Sequence, residues 1–162
     1  MTPTKAIALL TALFVSGGAS ALDPWPIHKL DNLVVTVQDN VDGGCWTNVK
    51  AVKTQIELIL RQSNIKVVEN PDEADAAFLM SAWGKRTEGV CFGGFGWNVL
   101  RFVWVRVGRG EGYAPAHLWQ RTSAAISNST LNSLILNSTE EVTREFANTY
   151  LKGKQEANEK TQ

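Results

Sequence analysis

The sequence holds few of the side chains that usually carry catalysis or bind metals. Its 162 residues include two cysteines, two methionines and two histidines. Neither His28 nor His117 lies in a G-x-S-x-G nucleophile motif or in the H-E-x-x-H spacing of a helical zinc site. Two cysteines and two distant histidines also lack the spacing of a structural zinc site. We therefore expect no catalytic residue, no metal and no cofactor.

An excess of charge of either sign is lacking as well. The chain has 16 basic and 16 acidic residues, which cancel at neutral pH. Proteins that bind nucleic acids or anionic membranes need clustered positive charge to displace counterions. The balance therefore predicts a protein that does not bind nucleic acid and is not built for an anionic membrane surface.

The sequence has no apolar run of the roughly 20 residues that a membrane-spanning helix needs. The shorter stretch Ala6–Val15 follows Lys5 and precedes Ala19-Ser20-Ala21, the small residues that a signal peptidase accepts. Residues 1–21 are therefore interpreted as a cleavable signal peptide, and the alternative is a buried N-terminal helix. The absence of a cysteine near the cleavage site argues against a lipid anchor. We expect a periplasmic or secreted protein with no integral membrane segment in the mature chain.

The two cysteines, Cys45 and Cys91, are interpreted in the light of that export. In an oxidising compartment an even pair of cysteines usually forms a disulfide. A metal site needs more ligands than these residues supply, and a redox-active pair usually has the close C-x-x-C arrangement. We predict a structural disulfide between Cys45 and Cys91.

Hydrophobic periodicity divides the remaining chain into short elements. Apolar residues at helical spacing predict a helix over residues 47–62, capped by Thr47 and ended by Ser63-Asn64. A last helix includes Val142, Phe146 and Tyr150, and it begins near either Leu131 or Thr139. Strands are predicted over residues 33–37, 65–69, 76–85, 98–107 and 117–126, with glycine-rich loops over 89–97 and 108–112.

The resulting order, β-α-β-β-β-β-α, predicts an α+β fold. We expect a mostly antiparallel sheet of about five strands with two helices packed on one face. The single domain is predicted to span residues 22–152, and a flexible polar tail follows over residues 153–162.

The first strand and helix lead into Arg61–Val68, and Pro71–Ala76 then introduces the third strand. Together with a closing helix that contains Glu145–Leu151, this order resembles exported bacterial α+β modules. These include the N-terminal domain of the Tol-system propeller protein and the lipopolysaccharide-assembly and curli-secretion lipoproteins. The resemblance covers residues 32–152 and implies a periplasmic or outer-membrane-associated accessory role. The chain differs from the lipoprotein members because it has no cysteine for lipidation.

The glycine-rich segment 89–97 contains three aromatic residues: Phe92, Phe95 and Trp97. A phosphate-binding loop would be followed by a helix, whereas a strand is predicted here. Two alternatives remain for the aromatic side chains. They fold back onto the core, or they form a protruding apolar tip for a partner.

Strand side chains alternate between the two faces of a sheet, so each predicted strand can be divided into two sets. If the helices cover the slimmer aliphatic face, the opposite face collects Trp83, Phe102, Trp104 and Trp119, with Lys85, Arg106 and Arg121 among them. Tryptophan and arginine are enriched in the centres of protein interfaces. The alternatives are that some tryptophans point inward or that the Trp25 segment packs over them.

These features predict a non-enzymatic accessory or protein-binding domain that engages a protein partner or associates with itself. The alternative is a small secreted enzyme or a carbohydrate-binding module that uses surface tryptophans. The candidate binding residues are Trp83, Phe102, Trp104, Arg106, Trp119, Arg121, Phe95 and Trp97.

Overall fold

The computed structural model describes residues 27–160, so the predicted signal peptide 1–21 and Trp25 lie outside the described residues. Two short 3₁₀ turns, Ile27–Lys29 and Pro71–Glu73, accompany the main elements. The main elements, in chain order, are β1 (Asn32–Val41), α1 (Val49–Gln62), β2 (Lys66–Val68), β3 (Ala76–Thr87), β4 (Val90–Val107), β5 (Gly110–Ser127) and α2 (Asn132–Glu159). The predicted element order is confirmed.

The five strands form one mixed sheet in the order β2-β1-β3-β4-β5. Strand β1 pairs in parallel with β2 and with β3. The longer ladders, β3 with β4 and β4 with β5, are antiparallel. The predicted α+β class is confirmed, and the crossover through α1 explains the parallel pairing of β1 with β2.

Both helices cover one face of the sheet, which we call the inner face. Val35, Phe78 and Val99 are paired across neighbouring strands, and all three are buried there. Phe146 of α2 packs edge-on against Phe78, with 5.4 Å between the ring centroids. The core also includes the apolar stripes of the helices, among them Val52, Ile56 and Leu60 of α1 and Ile135, Ala147 and Tyr150 of α2. The inner face is therefore filled.

The two ends of α1 differ from each other in how well the sequence predicts them. Asn64 has φ 56°, the left-handed conformation that was expected after the helix. Thr47 does not cap the start, because its N–H donates to Asn132 Oδ1 at 2.9 Å and its hydroxyl accepts from Asn132 Nδ2 at 2.9 Å. Thr47 therefore connects this segment to the first residue of α2.

Of the two possible starts for the last helix, the earlier one is correct, since α2 begins at Asn132. Thr139 lies inside the helix and is fully buried. Its hydroxyl accepts a hydrogen bond from Trp97 Nε1 at 3.3 Å. The helix also runs to Glu159, so the predicted flexible tail is wrong as far as that residue. Gly153 packs there against the His28 side chain, where a Cβ would approach Nδ1 to 2.9 Å.

The glycine-rich loop predicted over residues 89–97 is wrong, because these residues belong to β4 apart from the turn residue Gly89. The glycines permit close approach between strands. A Cβ on Gly84 would lie 2.4 Å from the carbonyl oxygen of Phe92, and one on Gly94 would lie 2.7 Å from the Trp83 indole. Glycine here reflects tight packing in a strand and not a flexible connection.

Cys45 and Cys91 form the predicted disulfide, with 5.6 Å between their Cα atoms. Both residues are fully buried. The carbonyl of Cys45 also accepts a 2.7 Å hydrogen bond from the N–H of Leu131. The bridge thus joins the segment before α1 to β4 beside the start of α2.

The Asp75 carboxylate links the start of β3 to the start of β1 through hydrogen bonds. Its Oδ2 accepts hydrogen bonds from the N–H groups of Asp31 at 2.8 Å and Asn32 at 2.9 Å. These two backbone bonds, with Arg101 and Lys66 nearby, hold the pKa of Asp75 below its ordinary value of 3.8. A carboxyl group whose pKa is lowered by folding stabilises the fold while it is ionised.

Replacing Asp75 by Asn should therefore lower the free energy of unfolding at neutral pH by about 1 kcal/mol, because bonds to a charged carboxylate contribute about 1.5–3 kcal/mol and bonds to a neutral amide oxygen about 1 kcal/mol. The deficit should shrink as the pH falls through 3.8 and below, because the wild-type carboxyl group then becomes protonated. Urea unfolding of both proteins at neutral and acidic pH measures this difference. Asp72→Asn, in the nearby exposed turn, is the control, and an equal pH dependence of all three proteins would contradict the prediction.

Candidate functional site

The face of the sheet opposite the helices, which we call the outer face, carries large apolar side chains. Trp83 is 50% exposed, Trp104 58% and Tyr113 72%. Phe92, Phe102 and Ile126 are exposed on the same face. A sheet face in contact with water normally carries polar residues. These side chains are therefore the feature of the described structure that most needs a partner.

The outer face contains four of the predicted binding residues: Trp83, Phe102, Trp104 and Arg106. The other four lie elsewhere. Phe95 and Trp97 point into the core and are fully buried, so for these two the alternative that folds them back onto the core is correct and their prediction as binding residues is wrong. Their ring centroids lie 6.3 Å apart beneath the helices.

Trp119 and Arg121 lie on the inner face, which corrects their predicted place beside Trp83. The cause is a β-bulge in the β4–β5 ladder, where Val99 pairs with Trp119 but Leu100 pairs with His117. The extra residue reverses the alternation, because each one-residue shift moves side chains to the other face. Trp119 consequently packs against Phe146, with 5.3 Å between the ring centroids.

Arg121 has a structural partner on α2. Its guanidinium group donates from Nε and Nη2 to the carboxylate of Glu145, and it lies 5.4 Å from the centre of the Trp119 ring. The hydrogen bonds that Arg121 donates to Glu145, together with the negative charge of that carboxylate, raise the pKa of Arg121. This pair connects the β5 strand to the helix layer and leaves Arg121 out of the outer-face surface.

Strands β4 and β5 continue beyond the rest of the sheet. The last β3 partner of β4 is Ala77, which pairs with Leu100, while the β4–β5 ladder goes on to Val107 and Gly110. Residues 101–116 thus form a two-stranded projection that we call the hairpin arm. Two-stranded hairpins alone are marginally stable in water, so such an arm gains from a partner.

Aromatic side chains form a ridge along the outer side of the hairpin arm. Trp104 faces Tyr113 across the two strands, and their rings meet edge to face at a centroid distance of 4.9 Å. Phe102 pairs with Pro115 in the next outward-facing row of the ladder. Arg106 forms a salt bridge with Glu111 nearer the turn. The ridge is held in place by cross-strand contacts, which add to the stability of such pairs.

At the other end of the outer face lies a depression that we call the aromatic groove, formed by Trp83, Phe92, Gly94, Ala124 and Ile126. Its volume is about 660 Å³ and its lining is mainly apolar. Gly94 and Ala124 lie in one cross-strand row with Trp83, and Phe92 pairs with Ile126 in the next row. Small residues on the floor and large ones at the sides make the surface concave.

Sequence reasoning missed Tyr113 and Ile126. Tyr113 fell between a predicted loop and a strand that was expected to begin at residue 117, whereas β5 begins at Gly110. The usable signal was the alternation of Glu111, Tyr113 and Pro115 with small residues. Ile126 was assigned to a strand, but its face could not be derived without the register.

The described residues offer little for catalysis. His117 is exposed and lies 3.3 Å from Asn98 Oδ1, an amide and not a carboxylate. Residues 27–160 contain no group of three or more His, Cys, Asp and Glu side chains placed to hold a metal ion. No helix within that range combines the length and the apolarity that crossing a bilayer requires.

Comparison with known proteins gives similarities of fold at low sequence identity. No protein-family model and no curated protein sequence matches the chain. The PelC dodecamer from Paraburkholderia phytofirmans is similar over 70% of this chain and 86% of that one, with 16% identity and a TM-score of 0.46. A minor lipoprotein from Acinetobacter baumannii is similar over 72% of this chain and 92% of that one, with 10% identity and a TM-score of 0.36. At these values, no function of this chain follows from either similarity.

Proposed function

We propose that this chain is an exported, non-enzymatic accessory domain that binds protein, either a partner or a second copy, through its outer sheet face. The observation that carries the proposal is the exposure of Trp83, Trp104 and Tyr113 on a face that neither helix of residues 27–160 covers. Aromatic residues are enriched in interface cores and depleted from ordinary protein surface.

The distribution of side chains on the outer face supports an interface over a random scatter of apolar residues. Between the hairpin arm and the aromatic groove, the cross-strand rows contain polar side chains such as Ser81, Asn98 and Gln120. The exposed large apolar residues of this face are thus concentrated at its two ends. Contiguous apolar patches on a soluble protein commonly mark binding sites.

Export is supported by two independent features. The sequence of residues 1–21 has the composition of a signal peptide, and Cys45 and Cys91 are bonded. Structural disulfides persist in oxidising compartments and are rare in the cytosol.

The carbohydrate-binding alternative has less support. The residues that line the aromatic groove are aromatic, aliphatic or glycine, apart from Ser123, which pairs with the inward-facing Phe95. Ligand pockets orient their ligands with several placed polar groups, and a sugar presents many hydroxyls that need such partners. An apolar protein surface fits this lining better.

Site-specific photocrosslinking tests the proposal in the compartment to which the protein is exported. A photoreactive phenylalanine analogue at position 102 should give covalent adducts, with the chain itself or with another protein, several-fold above those from position 58. Leu58 on α1 is the matched control because it is 53% exposed but lies on the helix layer. Equal labelling from both positions, or adducts from neither, would contradict the proposal.

A further inference from the structure

We infer that the aromatic groove receives the hairpin arm of a second copy of this chain, in a two-fold dimer joined by its outer faces. This inference rests on the proposed function, because it names the partner of that same surface. Its elements are an apolar ridge and an apolar depression on one face of one molecule.

The arm of a molecule cannot fill its own groove. Trp104 on the ridge and Gly94 on the groove floor both belong to β4, ten residues apart in one continuous strand. At about 3.3 Å per residue they are separated by roughly 33 Å. Any arm in the groove therefore comes from another molecule.

The two surfaces are opposite in relief: one protrudes and the other is a depression. The Trp104–Tyr113 pair is a fixed ridge, with its two rings in edge-to-face contact. The groove has a volume of about 660 Å³, and its floor is kept low by Gly94 and Ala124. A preformed ridge loses little side-chain freedom on binding, which favours association.

Symmetry doubles the contact. The hairpin arm and the aromatic groove lie at opposite ends of the same face, so a two-fold axis near the middle of that face sets each arm over the other groove. The dimer closes on itself, as most homo-oligomers do. The polar middle rows around Asn98 and Gln120 then face each other, where water can bridge them.

The available area meets the need of a stable dimer. Six large side chains on each copy are exposed to between 39% and 72%: Trp83, Phe92, Phe102, Trp104, Tyr113 and Ile126. A large aromatic side chain presents roughly 150–250 Å², and these six are on average about 60% exposed, so one copy offers about 550–900 Å². Two copies together reach about 1,100–1,800 Å², which overlaps the range of standard protein interfaces.

Edge-to-edge pairing of two β5 strands is the competing way to dimerise. Strand β5 is the edge of the sheet along its 18 residues. Pro115 interrupts this edge within the arm, because proline has no N–H to donate to a neighbouring strand. Edge pairing would also leave Trp104 and Trp83 in water. The face-to-face dimer covers both.

The test is the oligomeric state of the full exported chain, measured by sedimentation velocity over a series of concentrations. The wild-type chain should show a monomer–dimer equilibrium. Trp104→Ser in the arm and Ile126→Ser in the groove should each raise the dissociation constant at least about 30-fold, as expected for interface hot spots. Leu58→Ser, which changes a side chain of similar exposure on α1, should leave it unchanged.

Mixing the two variants separates arm-to-groove contact from other modes. Each variant alone has two contacts that are each damaged on one side, whereas a mixed dimer has one intact contact and one contact damaged on both sides. Residues that meet in one contact are not additive, so the second change in an already broken contact costs little. The mixture should therefore dimerise several-fold more tightly than either variant alone. No such gain would overturn the inference, because an arm–arm or edge–edge dimer gives none.

Two further outcomes would also overturn it. One is a wild-type chain that stays monomeric at every concentration, while position 102 still crosslinks to a different protein. In that case the proposed function stands and the partner is not a second copy. The other is a monomer that sediments with phosphatidylglycerol vesicles and loses this binding in Trp104→Ser, which would assign the arm to lipid. Circular dichroism of each variant confirms that the fold is retained.

Discussion

Loss of the Cys45–Cys91 disulfide is expected to lower the free energy of unfolding by about 4 kcal/mol in the chain-entropy model. The bridge joins residues 46 positions apart, so it removes many extended conformations from the unfolded chain. A typical domain is stable by only about 5–15 kcal/mol, and the loss is therefore a large part of the total. Guanidinium unfolding of Cys45→Ala/Cys91→Ala against the oxidised wild type measures the effect.

The reduced wild-type chain is the control for that experiment. Reduction leaves two buried thiols in place, so it separates the loss of the crosslink from the loss of sulfur atoms in the core. The double variant and the reduced chain should be destabilised by similar amounts. A difference of less than about 1 kcal/mol between the oxidised and reduced wild type would contradict the entropic account.

The disulfide was predictable from the sequence because it depends only on the number of cysteines and on the redox state of the compartment that the protein enters. Two cysteines behind a signal sequence leave one intramolecular pairing, and no knowledge of the fold is needed to state it. The element order was predictable for a similar reason. The apolar spacing of α1 and the β-branched run of β1 are local patterns that each segment shows by itself.

The β4 strand shows where local patterns failed. Its first half is rich in glycine, which usually indicates a loop. Within the fold, Gly94 lies beneath the Trp83 indole, a contact between two strands that is not visible along the chain. The alternation of Phe95, Trp97 and Val99 continued through the segment, and it was the better indicator of a strand.

The candidate surface was predictable in composition but only in part by residue. Trp83, Phe102 and Trp104 are outward as expected, because each follows the alternation of its own strand. The faces of Tyr113 and Trp119 depend on the register between β4 and β5. Both have odd numbers, yet they lie on opposite faces. The reason is the unpaired residue Leu118 between them, which is the β5 side of the bulge opposite Val99 and Leu100. Register is set by pairing and turn geometry, and one sequence does not specify it.

Truncation of the buried Trp97 should strongly destabilise the fold. Its side chain is fully buried, and its Nε1 donates to the buried hydroxyl of Thr139 at 3.3 Å. Trp97→Ala leaves a cavity between β4 and α2 and also removes the partner of that hydroxyl. Such substitutions cost about 3–5 kcal/mol. We expect a loss of this size in urea unfolding, with the oxidised disulfide intact.

Trp83→Ala is the matched control for this prediction, because it removes the same side chain from the neighbouring strand of the same sheet. Trp83 is half exposed on the outer face, so its truncation opens no closed cavity and should cost about 1 kcal/mol or less. Both variants must be measured at concentrations where the chain is monomeric, since Trp83 lies in the surface proposed to dimerise.

Trp97→Phe adds a second comparison, because it keeps most of the ring volume while losing the bond to Thr139. It should fall between the wild type and Trp97→Ala. Similar losses for Trp83→Ala and Trp97→Ala would contradict the assignment of the two faces, on which both the core and the proposed interface depend.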